Sequence, residues 1–207
     1  VMYNFDKEIN RRQTNSIKYD REKAQDPRII PMWDADMDFE TLPEVKEVLT
    51  KRAQHGIFGY AMPTDPYYQS VIPWQKDRHH YHIEKDWIVT TTGTVTAIKL
   101  ALRTFTQDND AIMIMKPVYY PFDASIHLNH RQVVECPLVF DGEAYSCDFA
   151  LFEQQIIEND VKMFILCNPH NPIGKVWTKE ELYQIGTICQ KHHVIVVSDE
   201  IHMDFVY

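Results

Sequence analysis

The sequence predicts an α/β fold built around a mostly parallel sheet. From residue 87 onward, short apolar runs bounded by turn residues alternate with amphipathic helical segments, and this alternation is typical of parallel strand pairing. One run, Val194–Ser198, is mostly β-branched, which favours a strand buried on both faces. The run is followed by Asp199 and Glu200. Open parallel sheets bind ligands at the carboxyl ends of their strands, so Asp199 is expected to face a ligand.

The composition restricts the classes of function. The 207 residues are 44% hydrophobic, which is enough for one substantial core, and the net charge of -9 argues against a nucleic-acid or anionic membrane partner. No apolar run approaches the length of a membrane span, and residues 1–10 lack the pattern of a signal peptide, so we expect a cytoplasmic location. The Cys residues have no C-x-x-C spacing, which favours buried free thiols over zinc ligands or disulfides.

Residues 1–40 are predicted to form an extended arm. The end of this arm, Met32–Phe39, interleaves three acids with large apolar side chains, which suits either a solvated turn or the rim of an active site. Thr41–Glu44 has the pattern of a capping box with a proline in the first turn. This pattern predicts a helix that runs to about His55.

A second helix is predicted after a loop at residues 56–60, which contains two glycines and exposes Tyr60. Asp65 is the expected N-cap of this helix, which runs to about His80. The histidines at positions 79, 80 and 82 could ligate a metal or interact with the negative end of the helix dipole. Adjacent side chains on a helix point apart, which favours the dipole interaction, and no metal is expected.

The alternation of strands and helices becomes regular at Trp87. Trp87–Thr91 is predicted to be a strand and Thr94–Phe105 a helix, with a turn at Gly93 between them. The backbone N–H groups that open such a helix are unpaired, so residues 93–95 form a candidate phosphate cradle. Many α/β units have a glycine here without a ligand, so both interpretations stay open.

Two further predicted strands lead into unusual loops. After the strand Ala111–Met115, prolines flank Tyr119 and Tyr120, and Tyr119 is suited either to stacking on a planar cofactor or to covering the core. After the strand Met163–Cys167, two Asn-Pro pairs set side-chain amides in fixed directions. The other predicted elements are a helix from residue 121 towards His130, a strand Val133–Leu138, a helix Phe149–Glu158 and, after a capping box at Thr178, a helix to about His192.

Two classes of protein place an Asp-Glu pair after a buried strand: nucleotide hydrolases, where the Asp helps to hold magnesium, and pyridoxal phosphate enzymes, where it holds the protonated ring nitrogen. Asp199-Glu-Ile-His202 matches the D-E-x-H of helicase-type ATPases. A hydrolase also needs G-x-x-x-x-G-K-[ST], but Lys175 is followed by Val176, and Pro169 occupies the position of the first glycine. The sequence therefore disfavours the hydrolase.

The chain resembles fold-type I pyridoxal phosphate enzymes. The motifs that carry the resemblance occur in the family's order: Gly93-Thr-Val-Thr-Ala97, Pro117-Val-Tyr119, Asn171-Pro-Ile-Gly174 and Ser198-Asp-Glu-Ile-His202. Further stretches are similar to the MalY/PatB-like cystathionine β-lyases of the class I/II aminotransferase family: Met32–Phe39, His55–Tyr60, Pro117–Phe122 and Cys167–Pro172. The resemblance implies a three-layer α/β/α fold with a mostly parallel sheet, incomplete at the C-terminal end.

The resemblance also implies roles for residues that would bind pyridoxal 5'-phosphate. Tyr119 would stack on the pyridine ring, Asn171 would hydrogen-bond the ring's 3-oxygen with His202 nearby, and Asp199 would pair with the ring nitrogen. Asp199 and Tyr119 are thus the expected catalytic residues. The family's phosphate cradle corresponds to Gly93, Thr94 and Val95.

Other implied roles concern substrate, partner and domains. Tyr60 would reach the phosphate of a second subunit, so a homodimer with shared active sites is expected. An amino-acid substrate would be bordered by Trp33, Ala35 and Asp36. The family's domain boundaries correspond to an N-terminal arm and part of the small domain at residues 1–45, and to the N-terminal portion of the large cofactor domain at residues 46–207.

The implied reaction is β-elimination from cystathionine or cysteine S-conjugates, which yields a thiol, pyruvate and ammonia. An aminotransferase of amino acids and a catalytically inactive regulatory or binding protein remain as alternatives. The family's Schiff-base lysine has no counterpart here, so we expect this chain to be an N-terminal half that is inactive alone. Departures from the family occur at Asp34, Thr92 and Thr96.

Overall fold

A computed structural model of the protein describes residues 3–21, 26 and 28–206. The chain divides into an N-terminal unit, residues 1–83, and a sheet unit, residues 84–207. The expected domain boundary after residue 45 stays a prediction. The predicted extended arm includes residues 1, 2, 22–25 and 27, for which the prediction lies outside the described residues.

The N-terminal unit contains helices α1 (Ile17–Asp20), α2 (Pro43–His55) and α3 (Asp65–His79). The capping box predicted at Thr41 is wrong: Pro43 opens α2, so the N-cap position falls on Leu42, which has no capping side chain. Asp65 is likewise the first residue of α3, and Thr64 is its N-cap. The left-handed C-cap His80, with a φ of 52°, ends α3 close to the predicted position.

The sheet unit confirms the predicted α/β architecture. Its main sheet consists of the strands β1 (Ala111–Lys116), β2 (Gln132–Pro137), β5 (Val161–Cys167) and β6 (Ile195–Asp199), and a separate antiparallel hairpin joins β3 (Val139–Phe140) to β4 (Tyr145–Ser146). The strand order in the main sheet is β2-β1-β5-β6, and all of its pairings are parallel. The helices are α4 (Thr94–Phe105), α5 (Pro121–Leu128), α6 (Phe149–Glu158) and α7 (Lys179–Lys191).

The main sheet separates two apolar clusters, because successive side chains of a strand point to opposite faces. On β1, Ile112 and Ile114 pack with α4 and α5, whereas Met113 and Met115 pack with α6 and α7. All four of these side chains are buried. Helices therefore cover both faces of the sheet, as the predicted three-layer arrangement requires. The Cys residues are buried with free thiols, also as predicted: Cys136, Cys147, Cys167 and Cys189.

Two strand predictions need correction. Trp87–Thr91 is not a strand: a 3-10 turn occupies Lys85–Trp87, and no strand of the described residues pairs with residues 88–91. A β-branched run alone does not form a strand without a partner. The strand Val194–Ser198 begins at Ile195 and forms an edge of the described sheet. Its Ile195 and Val196 are 39% and 40% exposed, so the prediction that both faces are buried is wrong.

Among the described residues, no helix combines the length and the apolar character that crossing a membrane would require.

Replacing Phe164 by Ala tests the core. Phe164 is fully buried in β5, and its ring contacts Phe152 of α6 edge to face, with 5.1 Å between ring centroids. The cavity should lower the free energy of unfolding by about 3–5 kcal/mol, measured by urea denaturation. The matched change Phe105→Ala removes a ring that is 58% exposed and should cost less than about 1 kcal/mol. Equal costs would contradict this description of the core.

Candidate active site

Loops that follow adjacent parallel strands form the candidate site. Tyr119 follows β1, Asn171 follows β5, and Asp199 is the last residue of β6. Because β5 pairs with both β1 and β6, all of these loops lie at the same carboxyl edge of the sheet. Asp199 is buried and Asn171 and Tyr119 are half-buried.

Backbone and side-chain hydrogen bonds fix the loop of Asn171 against the end of β6. The Asn168 N–H donates to the Asp199 carbonyl at 3.0 Å, and the Asn168 side-chain oxygen accepts from the Trp177 N–H at 3.2 Å. The Trp177 indole N–H donates to the Cys167 carbonyl at 3.1 Å. The Asn171 N–H meets the Cys167 Sγ at 3.4 Å. Burial raises the pKa of this Cys167 thiol, so it stays protonated at neutral pH.

The Asp199 side chain combines burial with local hydrogen bonding. Its Oδ1 accepts from the Ile201 N–H at 3.2 Å, which fixes the carboxylate relative to the turn after β6. His202 lies half-buried in that turn, where its carbonyl accepts from the Phe205 N–H at 3.0 Å. A buried carboxylate at a strand end suits a cationic partner, such as a protonated ring nitrogen.

Tyr119 forms one wall of an open groove lined by residues 116–120 with Asp123 and Ala124. The ring packs against the apolar cluster below α4 and α5 and contacts Phe122 edge to face, with 5.8 Å between centroids. At the end of β1, Lys116 forms ion pairs with Asp123, at 2.8 Å, and with Glu135. Tyr119 therefore covers the core, as one of the two interpretations predicted, and also lines the groove; stacking on a cofactor stays a prediction.

The start of α4 has the backbone geometry of an anion site. Gly93, its N-cap, has φ 112° and ψ 158°, a conformation that side chains disfavour, and within the described part of the chain no side-chain hydrogen bond caps this end of the helix. Gly93 and Thr94 are exposed and Val95 is half-buried. The first N–H groups of the helix are thus available to an anion. α4 packs against α5 and β6, and its chain direction brings its N-terminus towards the carboxyl edge of the sheet.

Each of these groups has a chemistry that suits a particular kind of ligand group. A helix N-terminus suits a phosphate, the Tyr119 ring suits a planar ring, and the buried carboxylate of Asp199 suits a protonated ring nitrogen. The part of the chain that the structure describes contains no group of three or more His, Cys, Asp or Glu side chains placed to hold a metal ion.

Comparison with known proteins gives the family. The model of the family described as "Aminotransferase class I and II" matches residues 29–207. The chain belongs to this family. It is 40% identical to cystathionine beta-lyase PatB of Bacillus subtilis over 205 residues, which cover 98% of this chain and 53% of PatB.

Solved structures of PLP-bound relatives have the same fold. A PLP-bound putative aminotransferase from Clostridium difficile is 40% identical, with a TM-score of 0.88 over 98% of this chain and 53% of that one. A PLP-bound C-S lyase from Staphylococcus hominis is 34% identical, with a TM-score of 0.89 over 99% of this chain and 52% of that one. The chain thus spans about half the length of these class I and II relatives.

The N-terminal unit holds the other residues to which the resemblance gave roles. Ala35 and Asp36 line a groove formed by residues 16–18 and 34–36 with Arg11, and the half-buried Trp33 precedes this stretch. Arg11 forms ion pairs with Asp36 and, at 2.7 Å, with Asp38. Tyr60 is fully exposed.

The buried Lys18 contributes to the same network. Its ammonium donates to the Asp36 carbonyl at 3.0 Å and to the Asp38 carboxylate at 3.0 Å. Hydrogen bonds from Arg11 hold the pKa of Asp36 below its ordinary range, and Lys18 with Arg11 does the same for Asp38. Asp36 and Asp38, two of the three acids in Met32–Phe39, are therefore paired with cations from an earlier part of the same arm.

Sequence reasoning missed Arg11, Lys18 and His170. Nothing in the pattern of residues 1–40 pairs a particular cation with a particular acid. His170 stands between the two Asn-Pro pairs, and this position in an unusual loop is the sequence feature that could have identified it as a site residue. The structure buries it between two loops of the candidate site.

The change Gly93→Ala tests the turn. A side chain in this conformation should cost about 1–3 kcal/mol of stability and should weaken the binding of PLP to the complete protein, measured by denaturation and by titration of the apoprotein. The control is Gly186→Ala inside α7, where an added Cβ meets no atom within 4 Å. That change should stabilise by up to about 1 kcal/mol. The account of the turn fails if both changes have the same effect.

The acid network predicts a pH dependence. Because their pKa values are lowered by folding, Asp36 and Asp38 contribute stability above the ordinary value of 3.8, and this contribution is lost as the pH falls through the lower folded values. Carboxyl carbon shifts measured by NMR should titrate below 3.8 for both residues. Arg11→Gln should raise both midpoints, whereas Arg28→Gln, which removes the partner of Asp26, should leave them unchanged. Midpoints at or above 3.8 in the unaltered protein would be inconsistent with these ion pairs.

Proposed function

We propose that the complete protein is a pyridoxal phosphate-dependent carbon-sulfur β-lyase of cystathionine or cysteine S-conjugates. The observation that carries the proposal is the buried Asp199 carboxylate, hydrogen-bonded at the end of β6 and joined through Asn168 to the loop of Asn171. The names of PatB and of the Staphylococcus hominis lyase support the reaction class.

In this proposal the sheet unit holds the cofactor. The N–H groups of residues 93–95 bind its phosphate, Tyr119 packs on one face of its ring, and Asn171 donates to its 3-oxygen with His202 nearby. Asp199 stabilises the proton on the ring nitrogen by accepting a hydrogen bond from it. Burial excludes water from this carboxylate and strengthens its interaction with a cation.

The bound cofactor would supply an electron-withdrawing ring that labilises the Cα–H bond of an amino acid. The chain's own contribution is to orient the ring and to hold its proton at the nitrogen beside Asp199. The overall elimination consumes one water and converts cystathionine into homocysteine, pyruvate and ammonia. The prediction that the cofactor-bonding lysine lies outside this sequence stays a prediction.

The substrate and partner assignments belong to the same proposal. Trp33, Ala35 and Asp36 border the amino-acid substrate, and the ion pairs of Asp36 with Arg11 restrict the shape of that border. Tyr60, whose side chain is fully exposed, would serve a second subunit of a homodimer. The expected location is the cytoplasm.

An aminotransferase is the second candidate, supported by the name of the Clostridium difficile structure. The two reactions differ in their need for an acceptor. Incubation of the complete protein with PLP and L-cystathionine should release pyruvate, ammonia and homocysteine in equal amounts without an added 2-oxo acid. Amino-group transfer that occurs only when a 2-oxo acid is added would refute the lyase.

The change Asp199→Asn tests the central residue. The amide oxygen can accept a hydrogen bond but lacks the negative charge that keeps the ring nitrogen protonated, so kcat for pyruvate release should fall by about 100-fold or more, while PLP still binds. Glu200→Gln is the matched control because it makes the same change on the exposed neighbour, which accepts from the Ser198 hydroxyl at 2.8 Å. Glu200→Gln should keep nearly full turnover. Similar losses in both variants would exclude the assigned role of Asp199.

A further inference from the structure

His170 connects two loops of the candidate site. It precedes Asn171, and its side chain is 1% exposed. Its Nε2 lies 2.9 Å from the carbonyl oxygen of Pro117, two residues before Tyr119. A carbonyl oxygen only accepts, so Nε2 carries the proton and donates it in this hydrogen bond. The bond therefore joins the loop after β5 to the loop after β1.

The other ring nitrogen identifies the state of this histidine. Nδ1 is buried and has no hydrogen-bond partner among the described residues. A proton at Nδ1 would be a buried donor without an acceptor, so the ring is the neutral Nε2–H tautomer. Burial lowers the pKa of His170, in agreement with a neutral ring. Among the described residues, no carboxylate forms a hydrogen bond or an ion pair with this ring.

The backbone around His170 makes the connection stiff. The His170 N–H donates to the Lys175 carbonyl at 2.7 Å, and the Gly174 N–H donates to the His170 carbonyl at 2.8 Å. The imidazole also packs beside the buried Trp177 ring, with 5.8 Å between centroids. A displacement of the His170 side chain would therefore move Pro117 or Asn171.

We propose that His170 is a positioning residue that sets the separation between Tyr119 and Asn171, and thereby the fit of the cofactor ring between their loops. This inference rests on the proposed function. In it, Tyr119 packs on the ring and Asn171 binds the ring's 3-oxygen, so the two contacts require a fixed spacing. His170 itself touches neither the cofactor nor the substrate.

Three variants of the complete protein distinguish an effect of His170 on the spacing of the two loops from an effect on the stability of the fold. In His170→Gln, the side-chain amide can still donate near the position of Nε2. In His170→Asn, the amide is too short to reach the Pro117 carbonyl. His170→Phe fills the ring volume and has no donor, and it also removes the unpaired Nδ1, so its unfolding midpoint should stay near that of the wild type.

The measurement is PLP affinity of the apoprotein, together with the visible circular dichroism of the bound cofactor. Loss of the hydrogen bond should weaken PLP binding by roughly tenfold in His170→Phe and His170→Asn, with a changed dichroic band. His170→Gln should restore both readouts. If His170→Phe does not fold, the comparison of His170→Gln with His170→Asn still tests the positioning role.

Each outcome has one interpretation. Affinities and spectra that follow the order wild type, Gln, then Asn and Phe support the proposal. Wild-type affinity and dichroism in His170→Asn or His170→Phe would overturn it. PLP binding that falls only in proportion to lost stability, with no rescue by Gln, would also overturn it. If the wild type itself binds no PLP, the proposed function fails and the inference fails with it.

Discussion

The parallel pairing of β5 with β1 and β6 is the constraint on which the candidate site depends. It places the ends of these strands at one edge of the sheet, so residues far apart in sequence, such as Tyr119 and Asp199, enter the same site. The register aligns Cys167 with Asp199, and the Asn168 N–H then reaches the Asp199 carbonyl at 3.0 Å. The loop that begins at Asn168 thus takes its position from the same ladder.

The two apolar clusters keep this ladder rigid. Side chains of β1 alternate between the two clusters, so a shift by one residue would move every one of them into the opposite cluster. Tyr119 packs at the margin of one cluster, and Trp177 is buried within the other. The polar groups of the candidate site are therefore attached to packed elements, which is how a binding geometry is kept before the ligand arrives.

Much of this arrangement could be predicted from the sequence, because periodicity reports burial. The helices Thr94–Phe105 and Phe149–Glu158 match their predicted bounds, and the Thr178 capping box is present. The predictions failed where the outcome depends on a neighbour. Residues 88–91 lack a strand partner among the described residues, and the edge position of β6 leaves Ile195 exposed.

In the candidate site, too, local features could be predicted from the sequence and long-range contacts could not. Motif order proposed Gly93, Tyr119, Asn171 and Asp199. The last three lie at or just after the carboxyl ends of β1, β5 and β6, whereas Gly93 precedes α4 without a strand of the described residues before it. The hydrogen bond between His170 and Pro117 joins residues that are 53 positions apart, and no local sequence pattern predicts it. The pairing of Arg11 with Asp36 is equally non-local. Sequence reasoning therefore proposes candidate ligand-binding residues, while the contacts that position them require the folded chain.

The most direct test of the central claim is the crystal structure of the complete protein with PLP bound. We expect the Asp199 carboxylate to accept a hydrogen bond from the ring nitrogen at about 2.7–2.9 Å, with the Tyr119 ring against the pyridine face. The phosphate should lie at the N-terminus of α4. A ring nitrogen that faces solvent or another side chain, with Asp199 outside hydrogen-bond range, would contradict the account.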